Sequence, residues 1–145
     1  MTAVDTVTEP EERGGAPLRV AVAGMGAVGM RLVTELGAGL PGFELGAIAV
    51  RDIAAAREKL GDDYAATPIV NVDELEPFAD VVIECVPASL LRQVVLPFVS
   101  AGKKAIVLSC GALLRNPDLI GQFFSKQKTA SELLLCLEFR RVLFR

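Results

Sequence analysis

From Leu18 onward, short unbroken apolar runs alternate with stretches whose apolar residues recur three and four positions apart. "LRVAVA" (18–23) predicts a strand that runs into glycines. "AVGMRLVTELG" follows, with Val28, Leu32, Val33 and Leu36 at helical spacing, and stops at Gly37. "GAGLPG" reads as a loop, "FELGAIAV" (43–50) as a second strand, and "IAAAREKL" (53–60) as a second helix closed by Gly61. "TPIV" fits a short third strand and "VDELEPF" a helical turn. "DVVIECV" (80–86) predicts a buried strand bounded by Pro87. "ASLLRQVVLPFVSAG" (88–102) reads as a helix that Pro97 should kink or shorten. "KAIVLSC" (104–110) is the fifth strand, followed by "GALLRNPDLIGQ". Residues 1–17, acidic and containing Gly and Pro without periodicity, predict a disordered leader.

Near-continuous Val/Ile/Ala strands separated by helices mean a parallel sheet covered on both faces. The expected fold is therefore a Rossmann-type doubly wound α/β sheet over residues 18–125. The length of 145 residues suits one such domain, and 52% apolar against 23% charged residues marks it as globular. A net charge of −3 gives no basic footprint for nucleic acid or anionic membrane, and with no Trp and one Tyr there is little to stack bases on. No apolar run approaches a membrane span, and the acidic start lacks the features of a signal peptide. Cys85, Cys110 and Cys136 are too few and scattered for a disulfide framework or zinc site, so reduced, cytoplasmic thiols are expected. The absence of His removes the usual imidazole base and the commonest metal ligand.

Candidate chemistry begins at "GMGAVG" (24–29), where Gly24, Gly26 and Gly29 form G-x-G-x-x-G between the first strand and first helix. The first glycine allows the tight turn, the second lets backbone approach a pyrophosphate, and the third lets helix and strand pack closely. The helix start offers unpaired N–H groups and about half a positive charge to phosphates. The motif with its intervening Met25, Ala27 and Val28 thus predicts a cofactor contact, in the strand-to-helix context it requires. Arg51 and Asp52 lie some 22 and 23 positions beyond Gly29, where an acid would bond the ribose of NAD and an Arg the 2′-phosphate of NADP. Asp52 could instead merely cap the second helix. The cofactor is expected to be NAD or NADP. Strand ends containing Cys85, Val86 and Pro87, and Ser109, Cys110 and Gly111, would flank the nicotinamide. Without a His partner, Cys85 and Cys110 read as packed small hydrophobes rather than nucleophiles. Glu84 could reach the cofactor edge, but reads better as a strand-end carboxylate turned toward water. Ser109 could bond the cofactor, the substrate or its own turn.

Taken together, "VAVAGMGAVG", "AIAVRD", "ADVVIECVP" and "AGKKAIVLSCGALLRNPDLI" resemble the N-terminal domain of the L-aspartate dehydrogenase family, from about Leu18 to Gln122. A weaker likeness extends to the nucleotide domain of homoserine dehydrogenase. The resemblance implies oxidation of L-aspartate to iminoaspartate with NAD or NADP, a step that can feed pyridine nucleotide synthesis, and a homo-oligomeric parent. It also implies that a second α+β domain supplies the substrate site and a catalytic histidine, so the present chain alone should be inactive. Two alternatives stand beside it: an NAD(H)-sensing regulatory module, and a homoserine dehydrogenase-like oxidoreductase. The final stretch departs from the family. "EFRRVLFR" (138–145) resembles a translated sequencing adapter, and "KQKTA" (126–130) with Glu132 resembles its upstream part. Residues 126–145 are therefore expected to be a non-native read-through tail, in which Cys136 has no role.

Overall fold

The computed structural model describes residues 15–126. Five strands form one sheet: β1 (Leu18–Ala23), β2 (Phe43–Ala49), β3 (Ile69–Val70), β4 (Val81–Glu84) and β5 (Lys104–Val107). Their order is β3-β2-β1-β4-β5, and every neighbouring pair is parallel. Chain order runs outward from β1 in both directions. The switch point therefore lies between β1 and β4, where an open α/β sheet leaves a crevice at its carboxyl edge.

Helices α1 (Ala27–Gly37) and α2 (Ile53–Leu60) cover one face, while α3 (Leu91–Ser100), α4 (Cys110–Leu114) and α5 (Pro117–Lys126) follow β4 and β5. The two faces differ in side-chain size. Val20, Val22, Ile48, Val81, Ile83 and Ile106 pack with Leu32, Val33 and Leu36 of α1 and Ala56 and Leu60 of α2. On the opposite face Ala21, Ala23, Ala47, Ala49, Val82 and Ala105 meet Leu91, Val94, Val95, Phe98 and Val99 of α3 and Leu119 of α5. Small strand residues let α3 lie close and seat Phe98, which is 1% exposed. Truncating a ring held this way costs roughly 3–5 kcal/mol.

Local irregularities have local causes. The register of β1 on β2 slips between Val20 and Ala21, leaving Gly46 as the extra residue. A Cβ at Gly46 would stand 2.5 Å from the Phe78 carbonyl oxygen, so the bulge requires glycine. The expected turn at "VDELEPF" is two short 3-10 turns, Val72–Glu74 and Glu76–Phe78. Pro97 neither breaks nor shortens α3, which continues to Ser100 after opening on a 3-10 turn at Ala88–Leu90. Gln93 and Pro97 share the exposed face, where water can take the carbonyl that proline leaves unpaired. Strands β2, β4 and β5 stop one to three residues earlier than the apolar runs; after β2 and β4 those runs continue into turns that line the crevice.

No helix among the described residues is long and apolar enough to cross a membrane. The expected leader falls mostly, and the expected read-through tail almost wholly, outside the described residues; Gly15 to Pro17 lack regular structure and Lys126 ends α5.

Candidate functional site

The glycine turn is built by three separate steric demands. Gly24 has φ +98°, and a Cβ there would lie 2.4 Å from the Cys85 carbonyl oxygen. The end of β1 thus turns directly against the end of β4. Gly24 N–H donates to Ala49 O at 2.8 Å and Cys85 N–H to Ala23 O at 2.8 Å, fixing the ends of β2, β1 and β4 together. Gly29 is buried in the first turn of α1, where a Cβ would come within 2.0 Å of the Gly24 carbonyl oxygen. Gly26 differs from both: a Cβ there would meet nothing within 4 Å. It faces open space at the N-terminus of α1.

That N-terminus is bare. Gly26 occupies the N-cap position with no side-chain cap, and the first turn carries no acid. The N–H groups of Ala27, Val28 and Gly29 consequently have no partner within the helix. Helix start and open approach make an anion cradle that a Cβ at position 26 would fill.

In front of it lies an open groove of about 1180 Å³. Eight expected site residues line it together: Gly24, Met25 and Gly26 from the glycine turn, Arg51 and Asp52 beyond β2, and Cys85, Val86 and Pro87 beyond β4. Ala27 lines a shallower depression of about 480 Å³ alongside Met30, Arg31 and Lys59. Val28 is 45% exposed on the outer side of α1, outside both linings, and Gly29 is an internal spacer. Ser109, Cys110 and Gly111 stand at the β5–α4 junction, Ser109 and Gly111 outside the groove lining; Cys110 opens α4 and Gly111 is exposed. Lys59, Asn71, Asp73, Leu90 and Gln93 also line the groove, and no motif in the sequence points to them. Lys59 was within reach of helical arithmetic, four positions after Ala55 on the same face of α2.

Asp52 caps α2, its Oδ1 accepting the Ala55 N–H at 3.0 Å. Of the roles open to Asp52, capping is the one the geometry displays. Arg51 is exposed and has no ion pair among the described residues. The Cys85 thiol is pushed up to about 12 by burial, with the Glu84 charge adding to it. It stays a protonated, packing group at neutral pH, in keeping with the reading against a nucleophile. No cluster of three His, Cys, Asp or Glu able to hold a metal occurs among the described residues.

Glu84 overturns its expectation. Its side chain is fully buried, not turned toward water. Oε1 accepts the Val86 N–H at 3.1 Å and the Ser109 hydroxyl at 3.1 Å, and Oε2 accepts the Ser109 N–H at 3.0 Å. Three donors offset a desolvation cost on the order of several kcal/mol for an unpaired carboxylate. Ser109 therefore spends its hydroxyl on Glu84, bridging the β4–α3 and β5–α4 turns.

Parallel order, crevice and bare helix N-terminus together define a Rossmann-type nucleotide-binding domain. A scyllo-inositol dehydrogenase from Lactobacillus casei, solved with NAD(H) and scyllo-inositol, shares the fold with a TM-score of 0.58 at 17% identity, over 75% of this chain and 34% of that one. Residues 24–135 match the family described as "Homoserine dehydrogenase, NAD binding domain", and the chain belongs to that family. It is 40% identical over 110 residues to an L-aspartate dehydrogenase of Bradyrhizobium diazoefficiens, covering 76% of this chain and 39% of that protein. L-aspartate dehydrogenase 3 of Bordetella bronchiseptica is 44% identical over 103 residues, covering 70% of this chain and 38% of the relative. The resemblance carried by the sequence motifs is thus found again across most of the chain, which spans roughly two fifths of these relatives' length.

Proposed function

We propose that this chain is the cofactor-binding part of an NAD(P)-dependent L-aspartate dehydrogenase. The observation that carries the reading is the uncapped, acid-free start of α1 behind Gly26, with open space where a Cβ would otherwise project. The aspartate dehydrogenase relatives support the choice of substrate class. When bound, the nicotinamide supplies the hydride acceptor. The chain's own part is to hold it: N–H groups of Ala27 to Gly29 meet the pyrophosphate, and Gly24 and Gly29 bring strand and helix close enough to present them. Residues Cys85 to Pro87 wall the nicotinamide end, and the turn that begins at Ser109 backs them through its bonds to Glu84. Asp52, occupied as a helix cap, leaves Arg51 as the discriminating side chain, and its free guanidinium suits a 2′-phosphate.

The substrate-orienting and proton-handling groups belong, on the family resemblance, to a second domain, and the sequence holds no His. The 145-residue chain therefore binds dinucleotide without oxidising aspartate. We place the parent in the cytoplasm as a homo-oligomer. Titration of the purified chain with NAD+ and NADP+ should show binding of both. Arg51→Ala should weaken NADP+ on the order of tenfold, as loss of a charged hydrogen bond does, and leave NAD+ nearly unchanged. No binding by the folded chain refutes the dinucleotide reading. Robust aspartate-dependent NAD(P)H production by the chain refutes its inactivity.

A further inference from the structure

We propose that Glu84 is a positioning residue whose buried negative charge biases the site toward the oxidised dinucleotide; the proposal rests on the dinucleotide reading above. Glu84 is the last residue of β4 and pairs with Ala23 of β1 on one side and Val107 of β5 on the other. It therefore sits at the switch point itself, directly before Cys85, Val86 and Pro87 of the groove wall. It is the fully buried charged residue among the described residues of the core, and it takes no part in the ion pairs Arg19–Asp80, Arg92–Asp118 and Lys103–Glu76.

Two consequences follow from the bonds it makes. One carboxylate joins the turn after β4 to the turn after β5, through Val86 N–H and both donors of Ser109. Those two turns hold their spacing only while both oxygens accept. A glutamine cannot replace it, since its NH2 would face a backbone N–H in either orientation. The charge is the second consequence. Its side chain is fully buried and no Lys or Arg among the described residues is shown paired with it, so its field reaches the crevice weakly screened. Oxidised nicotinamide is a cation and reduced nicotinamide is neutral, so a fixed negative charge behind the ring pocket favours the oxidised form. At an effective dielectric of about 20, a unit charge acting over roughly 10 Å is worth on the order of a tenfold difference between the two forms.

The test is the ratio of Kd for NAD+ to Kd for NADH, measured on the 145-residue chain by calorimetry and NADH fluorescence. Glu84→Gln should move that ratio about tenfold toward NADH. Ser109→Ala removes one donor that partly neutralises the carboxylate and should move it the other way, by roughly threefold. A purely structural role would change both affinities together and leave the ratio alone. An unchanged ratio in folded Glu84→Gln overturns the proposal. Should that variant fail to fold, an unchanged ratio in Ser109→Ala overturns it equally. A folded wild-type chain that binds neither nucleotide sinks the dinucleotide reading first and this inference with it, whereas binding with unmoved ratios sinks this inference alone.

Discussion

Gly26 and Gly29 belong to one motif, yet the structure gives them opposite sensitivities to a single added methyl group. At Gly29 the new Cβ would meet Gly24 O at 2.0 Å and Gly24 C at 2.8 Å, both backbone atoms that cannot rotate away. Helix α1 would have to retreat from β1 by roughly an ångström. Overpacking of this kind costs about 3 kcal/mol at the upper end of its usual range. Alanine regains about 1 kcal/mol of helix propensity, leaving a net loss near 2 kcal/mol. That corresponds to a melting temperature lowered by about 8 °C for a domain of this size. At Gly26 nothing lies within 4 Å and φ is −68°, a value alanine adopts freely. The poorer N-cap costs a few tenths of a kcal/mol, and the stiffer unfolded chain returns about as much. Gly26→Ala should therefore melt within about 2 °C of wild type. Its methyl group would nonetheless fill the space a pyrophosphate needs, and affinity for NAD+ should fall by on the order of a hundredfold or more. Circular dichroism melts and nucleotide titration of both variants decide the matter. If Gly26→Ala binds like wild type, or if Gly29→Ala melts unchanged, the division of labour argued for these glycines is wrong.

Asp52→Ala should cost about 1 kcal/mol through loss of the α2 cap, while Asp52→Ser, which can still accept the Ala55 N–H, should recover most of it in urea melts. Arg19 beside Asp80 holds that carboxyl below the usual carboxylate range, chiefly through the hydrogen bond between them. A folded-state pKa below the unfolded value gives stability that is complete above about pH 4 and lost as pH falls through the lowered pKa. Asp80→Asn should accordingly flatten that part of the acid limb in pH-dependent melts; an unaltered acid limb would discount the pair. With its thiol pushed up to about 12, Cys85 should be alkylated by iodoacetamide at neutral pH far more slowly than a free model thiol. Peptide-resolved mass spectrometry reads this, and rapid labelling of Cys85 in the folded chain would contradict its packing role.

The fold was legible because both signals behind it are local. Each strand is a short apolar run stopped by Gly, Pro or a polar residue, and each major helix shows its buried stripe within eight to eleven residues. β1 coincides with "LRVAVA" and α2 with "IAAAREKL". The alternation of Val or Ile with Ala in β1 and β2 even encodes which face receives the bulkier helix α3. Pro97 misled because proline's cost depends on where the orphaned carbonyl points, and a single exposed face made it tolerable. The strand ends misled because a turn that must line a crevice is as apolar as the strand feeding it.

The site was legible only where one segment builds it. Gly24, Gly26 and Gly29 lie within six residues, and their three roles follow from the geometry of a single strand-turn-helix. Lys59, Asn71 and Gln93 reach the same groove from three elements, and no spacing along the chain announces that meeting. Glu84 is the sharpest case. Read locally, a carboxylate at the end of an apolar strand belongs in water, since burial without partners would be prohibitive. Its partner Ser109 lies 25 positions away on β5's far turn. Parallel pairing of β4 with β5 makes that distance short, by setting Glu84 opposite Val107 and thus two residues from Ser109. Once the strand order is fixed, the inference reverses: an acid at the end of a central strand, with a Ser just past the end of its parallel neighbour, is a candidate for a buried cross-loop bond. Sheet register, rather than residue type, is what converts this carboxylate from a surface group into a buried tie behind the crevice wall.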